Sequence, residues 1–345
     1  MPDPTDAILG EARNIADLRA QIRRLAAFDT PRSLRAPTML VEGETGTGKG
    51  LVARIVHESG GRRGGPFVDV NCAAIPEAML EAELFGFEAG AFTDAKRAKP
   101  GLFEAASGGT LFLDEIDSLS LALQGKVLKA IEEKRVRRLG AVALRDVDLK
   151  LIAATQRDLR GLVAAGTFRA DLYHRLAVLI LTIPPLRDRE GDVVRLAEHF
   201  LARHAAAYGV EPKRLAPGAR DWLAAYEWPG NVRELEHMME RVTLLGLESE
   251  IGRDMLERLG ATVALVAPSP PAAGDEVAAS DEAARIHRAL ARSGGNVVRA
   301  ARILNLGRNA LRYRMRRFGI DRPDVRDPRL CDGLHGLQAR AHLSG

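Results

Sequence analysis

Met39-Leu40-Val41-Glu42-Gly43-Glu44-Thr45-Gly46-Thr47-Gly48-Lys49-Gly50-Leu51-Val52 is a short apolar run that enters a glycine-rich loop and leaves it as a helical pattern. Strand, loop and helix in that order set backbone N–H groups at a helix N-terminus, a nest for phosphate oxygens. Lys49 adds a positive charge where β- and γ-phosphates would lie. Further along, Gly109-Thr110-Leu111-Phe112-Leu113-Asp114-Glu115 ends a second apolar strand on two acids. Asp114 is suited to hold Mg²⁺, directly or through water, and Glu115 to orient and polarise an attacking water. Phosphoryl transfer depends mainly on such positioning and charge neutralisation. The pair of motifs therefore reads as ATP hydrolysis with Mg²⁺, on a loop made by Gly43, Glu44, Thr45, Gly46, Thr47, Gly48, Lys49 and Gly50. Gly50 stands where the general motif has Ser or Thr. Metal contact from that position is absent, and a glycine entering a helix costs at most about 1 kcal/mol.

Outward from the loop, a helix is expected over 8–28, with Ile15, Leu18, Ile22 and Leu25 at helical spacing. Strand candidates are 39–41, 67–70, 111–113, 149–154 and 178–181. Helical patterns separate them, so an α/β sandwich with a mainly parallel sheet is the expectation. After Pro184-Pro185 the chain looks all-helical from 193 to 259, with breaks near Glu211-Pro212 and Trp228-Pro229-Gly230-Asn231. The expected organisation is a nucleotide-binding subdomain over 8–185, a helical lid over 186–259 and an Ala/Pro-rich linker over 260–280. A small all-helical domain follows over 281–320, then a patternless tail over 321–345.

The net charge of +4 is unevenly placed: ten arginines and no Asp or Glu lie between Arg285 and Ile320. Within that stretch, 295–304 reads as one helix, Asn305-Leu306-Gly307 as a turn and 308–318 as a second helix, which is a helix-turn-helix pattern. Ala300, Ala301 and Leu304 would pack against Leu311 and Met315, leaving Arg308, Asn309, Arg312 and Arg316 exposed. Arginine suits guanine edges and phosphates, and asparagine suits adenine, so double-stranded DNA is the expected partner. Cys72 and Cys331 have no metal-ligand spacing and fit a reducing cytosol. The N-terminus lacks a signal-peptide pattern, and no apolar run approaches the roughly 20 residues of a membrane span. A cytoplasmic protein without a membrane partner is expected.

Between the two nucleotide motifs lies Gly90-Ala91-Phe92-Thr93-Asp94-Ala95, an apolar-tipped insertion flanked by Lys96, Arg97 and Lys99. Together these motifs resemble the bacterial enhancer-binding proteins, the AAA+ activators of sigma-54 RNA polymerase, from about residue 14 to 259 and again from 281 to 320. The resemblance implies that 90–95 is the loop that touches sigma-54, with Asp94 where the family has glycine. Asn71 matches the residue that holds the catalytic glutamate until the target is engaged. Gln156 falls at the sensor I position, where Asn is more usual, and Gly50 stands where the family usually has Glu. Arg169 and Arg175, in Phe168-Arg169-Ala170-Asp171-Leu172-Tyr173-His174-Arg175, resemble the arginine fingers that reach a neighbouring subunit, which implies a homo-hexamer. Arg233, in Trp228-Pro229-Gly230-Asn231-Val232-Arg233, resembles the sensor II arginine that reaches the subunit's own nucleotide. The basic unit resembles a Fis-type domain.

The implied function is ATP-driven remodelling of the sigma-54 RNA polymerase holoenzyme closed complex from an upstream DNA site. With only about a dozen residues ahead of the matched region, control by a separate regulatory protein or by expression level is expected. Asp94, Gln156 and Gly50 keep open a second reading, a DNA-binding regulator whose ATPase core is an oligomerisation scaffold. A third is a remodeller of unrelated substrates, against which the arginine-rich helices speak.

Overall fold

The computed structural model describes residues 3–28, 36–92 and 95–264, together with Ile286, Ala289, Leu290, Ser293, Arg299, Ala300 and Leu304. A single 3₁₀ turn, Pro4–Ala7, leads into α1 (Arg13–Phe28). Then follow β1 (Met39–Glu42), α2 (Lys49–Ser59), β2 (Phe67–Asn71), α3 (Glu77–Phe85), β3 (Thr110–Asp114), α4 (Leu121–Glu133), β4 (Lys150–Thr155), α5 (Ala170–Leu176) and β5 (Leu179–Thr182). The five strands form one parallel sheet in the order β2-β3-β4-β1-β5. Each expected strand lies within about a residue or two of its place.

Alternate side chains leave the strands on opposite faces, and the central strands β1, β3 and β4 are covered on both, so they are largely apolar. Leu40, Leu111, Leu113, Leu151 and Ala153 pack with Leu123 and Val127 of α4 and Leu172 and Leu176 of α5. Met39, Val41, Phe112, Ile152, Ala154 and Leu181 pack with Ile15, Leu18 and Ile22 of α1 and Val52, Ile55 and Val56 of α2. This double burial brings the carboxyl ends of β1, β3 and β4 to one edge. There the phosphate loop, Asp114 and Gln156 follow their strands, and open α/β sheets hold ligands at that edge.

The helix expected from residue 8 begins instead at Arg13. Gly10 has φ +136 and packs against the carboxylate of Asp192, which leaves no room for a side chain. The same carboxylate accepts hydrogen bonds from the N–H of Glu11 at 2.6 Å and of Ala12 at 3.3 Å, so it caps α1. Residues 8–12 are thus an irregular lead-in fastened to the lid.

The lid consists of α6 (Asp192–Tyr208), α7 (Pro217–Ala225), α8 (Asn231–Leu245) and α9 (Arg253–Ala264). Its last helix runs past the expected end at residue 259. Val193, Leu196, Phe200, Leu235, Met238, Met239 and Leu256 close a core of its own around Trp228. Trp228 is fully buried, holds φ +50, donates from Nε1 to the Leu223 carbonyl at 2.9 Å and meets the ring of Tyr226 edge-on. In the second compact unit, 266–345, Ile286, Ala289, Leu290 and Ala300 are buried, and the N–H of Leu304 bonds the Ala300 carbonyl at 3.1 Å as in a helix. Among the described residues no helix is long and apolar enough to cross a membrane.

Truncating Trp228 to alanine opens a large cavity in the lid and is expected to destabilise it by about 3–5 kcal/mol. A urea midpoint from circular dichroism measures this, and a midpoint unchanged from the native chain would contradict it.

Candidate functional site

The phosphate loop is held by its own backbone first. The Gly43 N–H bonds the Thr155 carbonyl at 3.3 Å, and Thr47 Oγ1 donates to the Glu44 carbonyl at 2.8 Å. Gly46 and Gly48 have φ of +79 and +100, which L side chains rarely adopt, and Gly48 sits at the N-cap of α2 without a capping side chain. The first N–H groups of α2 therefore open towards the cleft. Lys49 Nζ donates to the carbonyls of Gly43 at 2.8 Å and Glu44 at 3.1 Å. Burial pushes its ammonium below the ordinary lysine range, a shift that Asp114 and Glu115 oppose. At Gly50 a side chain would meet only the Phe112 ring, at 3.9 Å.

Across the cleft, Asp114 ends β3 in register with Asn71, and its Oδ1 accepts from the Glu115 N–H at 3.0 Å. Glu115 has left-handed backbone, φ 53, at the turn that presents its carboxylate. Asn71 Oδ1 accepts from the N–H groups of Ala73 at 2.9 Å and Ala74 at 3.1 Å, so its side chain ties down the turn after β2. Gln156 Oε1 accepts a hydrogen bond from Thr45 Oγ1, linking the end of β4 to the loop. Thr155 Oγ1 donates to Asp117 at 2.7 Å.

The lid closes the cleft. Lys49, Asp114, Glu115, Phe200, Arg203 and Arg233 all line it. The Arg233 N–H donates to the Gly46 carbonyl at 3.2 Å. Arg189 is buried, donates to the carbonyls of Thr47 at 3.1 Å and Pro184 at 2.9 Å, and is pushed down to about 10 by burial. Beside the loop lies an apolar pocket lined by Ile8, Leu9, Val52, Ile183, Leu196 and Val232, of which Ile8, Leu9, Ile183 and Leu196 lie in no sequence motif. They come from five separate stretches of the chain.

The two finger candidates sit away from the cleft's lining. Arg169 is exposed at the N-cap of α5 and forks onto Asp171 at 3.0 and 2.7 Å. Arg175 lines a small cavity with Thr38, Phe103 and Leu151, and its Nε is buried without a hydrogen-bond partner among the described residues.

The insertion after α3 starts as a two-residue antiparallel pair, Gly86–Phe87 with Lys99–Pro100. Gly90 N–H bonds the Ala95 carbonyl at 2.8 Å, Ala91 N–H the Glu88 carbonyl at 3.1 Å, and Ala95 N–H the Phe92 carbonyl at 2.9 Å. Phe92 rests on Phe87, rings 4.9 Å apart, and remains 44% exposed. Thr93, Asp94, Arg308, Asn309, Arg312 and Arg316 lie outside the described residues. A second hairpin, Arg135–Val136 with Arg145–Asp146, supports this base. Glu88 N–H bonds Leu139 O at 3.0 Å, and Leu139 N–H bonds Gly86 O at 2.9 Å. Arg138 forks onto Glu104 at 2.7 and 2.8 Å and reaches Glu88 at 3.2 Å. Arg138 thereby holds the Glu104 carboxyl below the usual carboxylate range. No single motif carries this network.

Comparison with known proteins places these features in one family. Residues 8–182 match the sigma-54 interaction domain, 187–263 the AAA+ ATPase lid domain and 280–318 the bacterial regulatory protein, Fis family. The nitric oxide reductase transcription regulator NorR2 of Cupriavidus necator is 41% identical over 334 residues, covering 90% of this chain and 63% of that protein. The response regulator protein PilR of Pseudomonas aeruginosa is 42% identical over 327 residues, covering 91% and 70%. Crystal structures of NtrX from Brucella abortus in complex with ADP and with ATP superpose with a TM-score of 0.66 at 33% identity, covering 90% of this chain and 69% of that one. The chain spans about two thirds of the length of these relatives.

Replacing Arg138 by methionine removes its fork onto Glu104 and its bond to Glu88. Amide exchange at Glu88 and Leu139 is expected to quicken at least roughly tenfold, by local opening. Unchanged protection would show that the backbone pairing alone holds the insertion.

Proposed function

Because this chain belongs to the sigma-54-dependent transcriptional activators, carrying their AAA+ core, lid and Fis-type domain in order, we propose that it hydrolyses ATP to remodel the closed complex of sigma-54 RNA polymerase from an upstream DNA site. The observation that carries this reading is convergence: a glycine cradle, Lys49, Asp114, Glu115 and Arg233 line one cleft beneath a lid. The relatives' structures with ADP and ATP support the nucleotide assignment.

In this reading the α2 N-terminus and Lys49 hold the phosphates, and Lys49 leaves the loop carbonyls to do so. Asp114 holds Mg²⁺, which supplies charge neutralisation at the phosphates when bound. The donor set fits the ion: a strand-end carboxylate faces the lysine, while Gly50 contributes nothing. Glu115 orients and polarises the attacking water, and Asn71, in register beside Asp114, restrains it until the target is engaged. Gln156 reads the nucleotide through its contact with Thr45. Arg233 reaches the terminal phosphate from the lid, and the apolar pocket takes the base.

Arg169, exposed and held by one carboxylate, and Arg175 act on the neighbouring subunit's nucleotide, which makes a homo-oligomer, a hexamer, the working form. Phe92, on a loop of small residues, makes the sigma-54 contact together with Gly90, Ala91, Thr93, Asp94 and Ala95. Arg308, Asn309, Arg312 and Arg316 face DNA. The domain limits proposed are 8–185, 186–264 and 281–320, with a linker between the last two.

Open-complex formation by sigma-54 holoenzyme on a supercoiled template tests the whole reading. The native chain is expected to open the promoter with ATP. Phe92→Ala should lose at least about tenfold in opening, the scale of an aromatic anchor, with ATP turnover kept. A native chain that turns over ATP and binds DNA without opening would favour the scaffold regulator, and recovery in Asp94→Gly would place the fault in the loop.

A further inference from the structure

Glu44 is a carboxylate inside a loop built to attract phosphate, where its charge would repel a bound nucleotide's phosphates unless a cation pairs with it. It does not line the cleft. Its two oxygens accept from Arg187 at 2.9 and 2.6 Å, and Oε2 accepts a third bond from Asn231 Nδ2 at 3.1 Å. Asn231 is fully buried in left-handed backbone at the start of α8. The same Nδ2 donates to the Thr45 carbonyl at 3.0 Å, and Oδ1 accepts from the Leu186 N–H at 2.8 Å. Two residues on, Arg233 bonds the Gly46 carbonyl through its N–H, and its Cβ lies 3.1 Å from where a Cβ on Gly46 would be.

Arg187, Glu44, Asn231, Arg233 and Gly46 thus close a ring of contacts between the phosphate loop and the lid. The ring is anchored on both sides, since Leu186 and Arg187 precede the lid's first long helix and Asn231 and Arg233 open its third. Rotating the lid by itself would break the Glu44 fork.

We propose that Glu44 is a positioning residue that fixes the register between the phosphate loop and the lid helix carrying Arg233, so that Lys49 and Arg233 meet the same terminal phosphate. The inference rests on the ATP-binding reading above and adds a consequence to it: the ring sets discrimination between tri- and diphosphate. The base pocket and the cradle bind either nucleotide, whereas the terminal phosphate is met only if Arg233 is in register. Arg187 shares this role without touching nucleotide.

Isothermal titration of the full chain with AMP-PNP and with ADP, each with Mg²⁺, tests this in Glu44→Gln, Arg187→Met and the double variant. Glu44→Gln is expected to lose roughly tenfold in AMP-PNP affinity, the scale of a charge-assisted bond, and no more than about threefold in ADP affinity. Arg187→Met should show the same selective loss, Arg187→Lys should restore part of it, and the double variant should be no worse than the larger single change. Equal losses for both nucleotides, the mark of a merely structural role, would overturn the proposal, as would unchanged AMP-PNP affinity or losses that multiply in the double variant. A native chain that binds neither nucleotide would overturn the ATPase reading itself, and this proposal with it.

Discussion

Gly46 and Gly230 meet backbone to backbone, so closely that a methyl group on Gly46 would stand 2.1 Å from the Gly230 carbonyl oxygen. That contact admits no side chain, and it lets the N-terminus of α8 lie directly on the phosphate loop. Around it the Asn231 amide, the Arg187 fork and the buried Arg189 satisfy the loop carbonyls and the Glu44 carboxylate. Asn231 and Arg189 are buried, and buried polar groups are costly when unpaired, so the lid cannot drift without losing several bonds together. The cleft is shaped by this joint more than by any one residue that lines it.

Two further supports reach the cleft from other directions. Asp192, on the first turn of α6, caps α1 through Glu11 and Ala12 and leaves Ile8 and Leu9 against the apolar pocket beside the loop. The N-terminal lead-in, the lid and the phosphate loop therefore share contacts, and a ligand bridging them senses all three. On the far side of the sheet, the insertion bearing Phe92 follows α3, and β3 follows the insertion to end at Asp114. Arg138, Glu104 and Glu88 brace it with charge-assisted bonds that are half-buried or better, where such pairs are screened less than at an open surface. The contact that Phe92 makes with Phe87 leaves much of its ring facing outward.

The sheet and the two nucleotide motifs were legible because they depend on local patterns: apolar runs of strand length, glycines at a fixed spacing and acids at a strand end. Gly46, Lys49, Asp114 and Glu115 accordingly converge on one cleft, and Arg233, singled out only by the family resemblance, lines it too. What stayed hidden is long-range. The break in the first helix needs Asp192, some 180 residues away, to cap Ala12. The Glu44–Asn231 bond spans 187 residues, and neither residue type announces it. Ile8, Leu9, Ile183 and Leu196 look like ordinary core positions, and only their meeting beside Gly48 makes them a pocket. Arg138 belongs to the run Arg135-Val136-Arg137-Arg138, and nothing in that run marks it as the member that forks onto Glu104.

Everything proposed for the clamped cleft requires it to be a hydrolytic site. Steady-state ATP turnover with Mg²⁺, native chain beside Glu115→Gln, tests it most directly. Turnover by the native chain is expected, with a fall of at least about 100-fold in the variant, the scale of lost general-base assistance, and AMP-PNP still bound. Turnover unchanged by Glu115→Gln, or its absence from a native chain that binds nucleotide, would contradict it.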